Sequence, residues 1–228
     1  MAFEARYGGA RALVIGATGG IGGAVAARLS RSMQVATLSR STDGLDLTDE
    51  AAIARAGRAT EPGLALILDA TGALEIDGIG PEKTIRAIDP AAMAAQFALN
   101  ATGPALLLKH FVPLLAEDRP VLFATLSARV GSIGDNRAGG WIAYRAAKAA
   151  LNQIVRTAAI EIARKRPEAV IVSLHPGTVQ SDLTRRYLGR HPAVTPEEAA
   201  ENLLLVMAGL TPADSGGFFD WQGQAVPW

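Results

Sequence analysis

The sequence predicts an α/β fold: one doubly wound domain in which a central parallel sheet is flanked by helices on both faces. Three observations predict it. Short aliphatic runs alternate along the 228 residues with segments of helical spacing, and glycine-rich turns fall where strands end. No repeat, linker or low-complexity tract breaks the alternation, so residues 1–228 read as a single domain.

The first strand is Ala12 to Ile15, which enters a glycine-rich turn, and Ile21 to Leu29 follows with helical spacing. Gln34 to Leu38 is the second strand. Ala51 to Arg58 reads as a helix, because the acidic pair Asp49-Glu50 suits the positive end of its dipole. Leu64 to Asp69 is the third strand. A long helical region from Pro90 to about Leu115, marked by Pro113, leads to Val121–Leu126, which is aliphatic enough for a buried strand. The glycine-rich loop Gly131 to Gly140 comes next. Trp141 to Arg166 has helical spacing, with Arg164, Lys165 and Arg166 in its last turn and Pro167 beyond. Val170 to Leu174 is the fifth strand, followed by His175-Pro176-Gly177. Thr195-Pro196-Glu197-Glu198 has the form of a capping box, opening a helix that runs to Met207. A last strand lies near Gly217 to Asp220.

Composition limits the partners. Twenty-two basic and twenty-two acidic residues cancel, which leaves no broad field for nucleic acid or an anionic membrane. The absence of cysteine excludes disulfides, thiolate metal sites and cysteine nucleophiles, and no metal site is expected. Glu4 and Arg6 stand where a secretory leader needs an apolar run. Pro90 to Leu108 is long enough to span a membrane, but it contains Gln96, Asn100, Thr102, Gly103 and Pro104 and reads as a buried helix. A soluble, cytoplasmic protein is the expectation. With 24 glycines and only 5% aromatics, its core should be aliphatic and its backbones closely approached.

Two local patterns carry chemistry. Gly16-Ala17-Thr18-Gly19-Gly20-Ile21-Gly22 lies between a strand and a helix, where a phosphate can approach bare backbone and the positive helix end. A structural tight turn would also use such glycines. At the end of the second strand an acidic residue would bind the ribose hydroxyls of NAD, whereas this chain has Ser39-Arg40-Ser41. Arg40 can pair with a 2′-phosphate, which favours NADP(H) over NAD(H); the other reading is a solvated surface charge. Further along, Tyr144 and Lys148 stand at i and i+4, on the same helical face. A cation beside a phenol lowers its pKa and makes it a usable proton donor or acceptor.

With these residues the chain resembles the short-chain dehydrogenase/reductase family over nearly its whole length, and hence a Rossmann-type domain. The matching residues are Gly16, Gly20 and Gly22, then Asp46-Leu47, then Asp69-Ala70-Thr71-Gly72 and Asn100. Tyr144 with Lys148, and Pro176-Gly177 followed by Thr178 and Ser181, complete them. Ser127 to Gly134 ahead of Gly139-Gly140-Trp141 is similar to the C-factor/sniffer-like carbonyl reductase subgroup. The resemblance implies an NADP(H)-dependent oxidoreductase for a small carbonyl or alcohol substrate. Tyr144 would be the acid/base, Lys148 would hold the nicotinamide ribose and depress the tyrosine pKa, and Asn100 would hold a water. It further implies cofactor contacts from Thr18, Gly19, Ile21, Ser39, Arg40, Asp46, Leu47, Ala70, Thr71, Gly72 and Val179. A homodimer or homotetramer is expected, paired through helices near 91–115 and 141–166.

The chain departs from the family at two places. Counting back three from Gly131 for the serine of Ser-Ser-x-x-Gly lands on Ala128, so Ser127 and Ser132 are the candidates for polarising a carbonyl. Asp69 replaces an asparagine and is expected to be a structural hydrogen-bond group. His110, His175 and His191 are assigned no catalytic part, and Trp141 either lines the substrate pocket or only packs. Arg185, Arg186, Arg190 and His191 form either a small lid over an anionic or polar substrate or a solvated basic loop. The competing function is a dinucleotide-binding signalling or regulatory module, C-factor-like, with secondary catalysis.

Overall fold

The computed structural model describes residues 2–181 and 193–228, so Arg185, Arg186, Arg190 and His191 lie outside the described residues. Along the chain run α1 (Ala2–Tyr7), β1 (Arg11–Ile15), α2 (Gly20–Leu29), β2 (Gln34–Leu38), α3 (Arg40–Asp43) and α4 (Glu50–Ala59). There follow β3 (Leu64–Asp69), α5 (Pro90–Phe97), α6 (Gly103–Phe111), β4 (Val121–Leu126), α7 (Ile142–Ala163), β5 (Ala169–His175), α8 (Pro196–Gly209) and β6 (Phe218–Asp220). All strand pairs are parallel, in the order β2-β1-β3-β4-β5-β6.

Both sheet faces are covered, which is why the strands read as unbroken apolar runs. One face sends Val14, Leu66, Leu68, Leu122, Val170 and Val172 against Val25 and Leu29 of α2 and Leu203 and Met207 of α8. The other sends Leu13, Ile15, Ile67, Phe123 and Ile171 against Ile53 of α4, Leu107 and Phe111 of α6, and Leu151 and Val155 of α7.

Because the order reverses between β1 and β3, a crevice opens at their carboxyl ends, where open α/β sheets receive ligands. The register aligns Ile15 with Leu38 and Asp69, Asp69 with Thr125, Leu126 with Leu174, and His175 with Asp220. Residues that follow these positions therefore share one edge.

Three features differ from the sequence reading. The short helices α1 and α3 carry too few residues to show a period. The helix from Pro90 is not uniform: residues Ala98–Thr102 form a π-turn between α5 and α6. Nor is that run wholly buried. It is long and apolar enough to cross a membrane by composition, yet 39% of its most apolar window is buried, because Gln96, Asn100, Leu107 and Phe111 face inward and the opposite side is left partly open.

Candidate functional site

The glycine-rich turn is shaped by its own backbone. Gly16 has φ +86 and donates its N–H to Leu38 O at 2.7 Å, and a Cβ on it would lie 2.9 Å from Ala70 O. A Cβ on Gly22 would lie 2.3 Å from Gly16 O, so that position admits only glycine. Gly19 is extended and supplies no side-chain cap to α2, which leaves the first amides of that helix open to an acceptor. Gly20 lies against Pro196 and Ser181, which brings the segment after β5 over the turn. Ile21, on the first turn of α2, packs against the α2/α8 core. This bare, positively polarised cradle fits a pyrophosphate.

At the end of β2, Ser39 caps α3 by accepting from Thr42 N at 3.2 Å. Asp43 is occupied by Ser39 N at 2.8 Å and by Thr42 Oγ1 at 2.5 Å. Arg40 is exposed and makes no ion pair with a described residue, while Ser41 Oγ reaches Thr18 Oγ1 at 3.5 Å. The rim beside the glycine turn thus offers a cation and hydroxyls, which fit a 2′-phosphate. Asp46 accepts from the side chain and backbone of Thr48, and these bonds, with Arg40 adding, hold its carboxyl below the usual range. Leu47 is buried under Gly103, where a Cβ would meet its side chain at 2.8 Å.

Asp69 is fully buried at the end of β3. Its Oδ1 accepts from Thr71 N at 3.0 Å and from Thr71 Oγ1, and its Oδ2 from Thr125 Oγ1 at 2.6 Å. Burial raises its pKa in spite of those bonds and of nearby Lys148. It pins β3 to β4 and sets the turn through Ala70, Thr71 and Gly72. Beyond the turn, Asn100 on the π-turn accepts from Ala73 N at 3.1 Å and donates to Ala73 O at 2.9 Å and Gln96 Oε1 at 2.7 Å. A Cβ on Gly72, at φ +137, would come within 3.0 Å of Asn100 Oδ1 and 3.2 Å of Lys148 Nζ. Asn100, Gly72 and Lys148 therefore meet at one place.

Tyr144 and Lys148 are both buried on α7, one turn apart. Lys148 Nζ donates to Leu126 O at 3.0 Å, and burial pulls its pKa down to about 8 against the opposing pull of Asp69. The expected depression of the Tyr144 pKa is not found. Burial pushes this phenol up to about 12, its neighbour is the edge-on ring of Trp141 at 6.4 Å, and the lysine charge, directed at Leu126 O, does not offset the burial.

The two serines are placed differently. Ser132 donates to Pro227 O and accepts from Asp135 N at 3.1 Å, so its hydroxyl holds the loop to the tail. Ser127 is 4% exposed and its Oγ has no hydrogen-bond partner among the described residues. Phe123 faces α7, and the two-residue period of a strand puts Thr125 and Ser127 on that face, with Ala128 turned away from it.

Pro176 and Gly177 follow β5. Gly177 has φ +80, and a Cβ there would lie 3.0 Å from the Trp221 ring. Thr178 O accepts from Val194 N at 3.0 Å, Val179 is buried opposite Val194, and Ser181 borders Gly20. Trp221 went unnoticed in the sequence; its place directly after the last strand, at the binding edge, was the available signal. His175 is buried with Nδ1 unpartnered, and burial, with Arg129 adding, pulls its pKa down to about 4. Among the described residues no cluster of His, Asp or Glu could hold a metal ion.

A family model described as enoyl-(acyl carrier protein) reductase matches residues 26–204. The 1-hydroxy-2-glutathionyl-2-methyl-3-butene dehydrogenase of Rhodococcus sp. (strain AD45) is 33% identical over 188 residues, 81% of this chain and 79% of that protein. The C-signal protein of Myxococcus xanthus is 39% identical over 142 residues, 62% of this chain and 81% of that one. Among solved structures, the NADPH-bound carbonyl reductase from chicken fatty liver superposes with a TM-score of 0.79 at 24% identity, covering 99% of this chain and 98% of the other.

Proposed function

The chain belongs to the short-chain dehydrogenase/reductase family, and from that premise we propose that it is an NADP(H)-dependent oxidoreductase acting on a carbonyl or alcohol substrate. The observation that carries this reading is the burial of Tyr144 and Lys148 one turn apart, with Lys148 Nζ and Asn100 meeting at Gly72 beside the glycine cradle. NADP(H), when bound, supplies or accepts the hydride. The amides of the first turn of α2 hold its pyrophosphate and Arg40 its 2′-phosphate; the NADPH-bound structural relative supports that choice.

Tyr144 gives its proton to the substrate oxygen. A phenol pushed up to about 12 stays protonated throughout the neutral range and so holds a proton to donate in carbonyl reduction, while the same shift works against it as the base in alcohol oxidation. Lys148, cationic below about pH 8, faces the same pocket, and Asn100 keeps the 72–74 segment in place against it. Of the two serines, Ser127 alone retains an uncommitted hydroxyl and is the candidate to polarise the carbonyl.

The test is hydride transfer from NADPH to a panel of aldehydes and ketones, followed at 340 nm. Tyr144→Phe should lower kcat by about a hundredfold or more while NADPH still binds. Full activity in that variant would overturn the assignment. Arg40→Ala should raise KM for NADPH and leave KM for NADH unchanged.

Ala128 in the serine position, together with the C-signal relative, favours a second reading, a dinucleotide-binding signalling module. A Tyr144→Phe protein that keeps its cellular effect while Gly22→Val loses it would select that reading. Self-association is also proposed, through the partly open side of α5 and α6 and the outer face of α7, where Ile160 is 49% exposed. Light scattering at micromolar concentration tests it, and a monomer would refute it.

A further inference from the structure

The helix that carries Tyr144 begins without a cap of its own. Its first flanking residue, Trp141, is left-handed at φ 55 and ψ 39 and supplies no side-chain bond to the helix. A bulky residue rarely adopts that conformation unless its surroundings hold it there. Gly139 and Gly140 just before it are left-handed too, at φ +63 and +65, so three residues in succession turn the chain sharply into α7.

The backbone carbonyl and carboxylate of Glu82 and the side chain of Arg145 supply the hold. Glu82, from the segment between β3 and α5, accepts from Trp141 N with its backbone carbonyl at 2.6 Å and from Ala143 N with its carboxylate at 2.6 Å. It therefore caps a helix that starts about sixty positions later in the chain, with an anion at the positive end. From the helix side, Arg145 spreads its guanidinium over three carbonyls: Gly140 O at 2.8 Å, Gly139 O at 3.2 Å and Val130 O at 3.3 Å. No carboxylate competes for that guanidinium among the described residues. Between the two contacts sits Trp141, with its ring edge-on to Tyr144 at 6.4 Å and an interplanar angle of 73°.

We propose that Glu82 is a positioning residue for Tyr144: together with Arg145 it fixes the left-handed turn at Trp141 and so sets the indole as a wall beside the phenol. The proposal rests on the reading of Tyr144 as the proton donor. The brace aims the donor without touching the substrate, so its loss shows in turnover before it shows in cofactor binding.

The experiment compares wild type with Glu82→Ala and Glu82→Gln. It follows kcat, KM, NADPH affinity and the emission of Trp141, the last taken as the difference from a Trp141→Phe protein. Glu82→Ala should lower kcat about tenfold or more with NADPH affinity unchanged, and should shift Trp141 emission to the red as the indole is released. Glu82→Gln keeps an oxygen that can accept from Ala143 N and should restore both. Wild-type kcat and emission in Glu82→Ala, or a lower melting temperature with neither changed, would overturn the proposal; so would a Gln variant as impaired as the Ala variant. If Glu82→Ala does not fold, Arg145→Met replaces it, with the same red shift expected and unchanged emission refuting the idea. Emission needs no turnover. A wild-type protein that reduces no carbonyl would defeat the functional reading and still leave the brace to be decided by the indole.

Discussion

The two glycine-rich segments of this chain are closed in different ways. The turn from Gly16 to Gly22 is closed by neighbours: Gly19 N bonds to Gly16 O, and the bare faces of Gly16 and Gly22 press on backbone within the turn and on Ala70. The loop from Gly131 to Gly140 is closed from afar, by Glu82, by Arg145 and by the tail at Pro227 and Trp228. A Cβ on Gly139 would meet nothing within 4 Å. In the first segment glycine makes room within the turn; in the second, Gly131 and Gly134 make room for Lys148 and Trp228, and only Gly139 and Gly140 serve a left-handed backbone angle. The first leaves its backbone open beside the amides of α2, while the second, ahead of α7, is braced by side chains and by residues 227 and 228.

Substitutions can break or sharpen that contrast. The largest effect is expected at Gly22→Ala, whose Cβ collides with backbone at 2.3 Å and should cost about 3 kcal/mol, together with NADPH binding. Urea unfolding and a cofactor titration measure both.

Next comes an acid sensitivity at the end of β5, through His175. Its folded pKa of about 4 lies below the ordinary 6.5, so between those values the unfolded chain binds the extra proton and stability falls as pH drops. The loss amounts to about 3 kcal/mol by pH 4. Asp69, whose pKa is raised, works in the opposite sense, so the effect is read as the difference between wild type and His175→Asn across pH 4–7. A pH-independent difference would contradict it.

Ser132→Ala should cost about 2 kcal/mol, because Pro227 O and Asp135 N both lose their partner, and should leave NADPH affinity untouched. The smallest effect belongs to Gly139→Ala, about 1 kcal/mol for a left-handed alanine in open space. If Gly139→Ala proved as damaging as Gly22→Ala, the distinction between the two segments would fail.

The same contrast explains what was legible in the sequence. The strands and most helices were, since burial on both faces writes continuous apolar runs and the helices carry their period and caps locally, as at Thr195. The parallel character of the sheet followed from the alternation, though not its strand order, and the glycine turn and Tyr144 with Lys148 followed from short-range spacing. What was not legible depends on partners distant in the chain. Nothing near Glu82 marks it as the cap of α7, and Ser132 looks as able to serve a carbonyl as Ser127 until Pro227 is seen to occupy it. The phenol's high pKa is a burial effect, set by packing that no spacing of Tyr and Lys encodes. The π-turn at Asn100 escaped because Ala98 to Thr102 carry no residue that separates them from the helices on either side.

Ser132 and the carbonyl of Pro227 that it binds are 95 residues apart. On the ribosome, the β1–α2 cradle and the strands beside it emerge long before residues 227 and 228 do, whereas a domain folds as a unit. The loop ahead of Tyr144 receives its last two fastenings only when residues 227 and 228 have left the tunnel. The residues of the glycine turn thus emerge early, and those that fasten the loop ahead of Tyr144 emerge late.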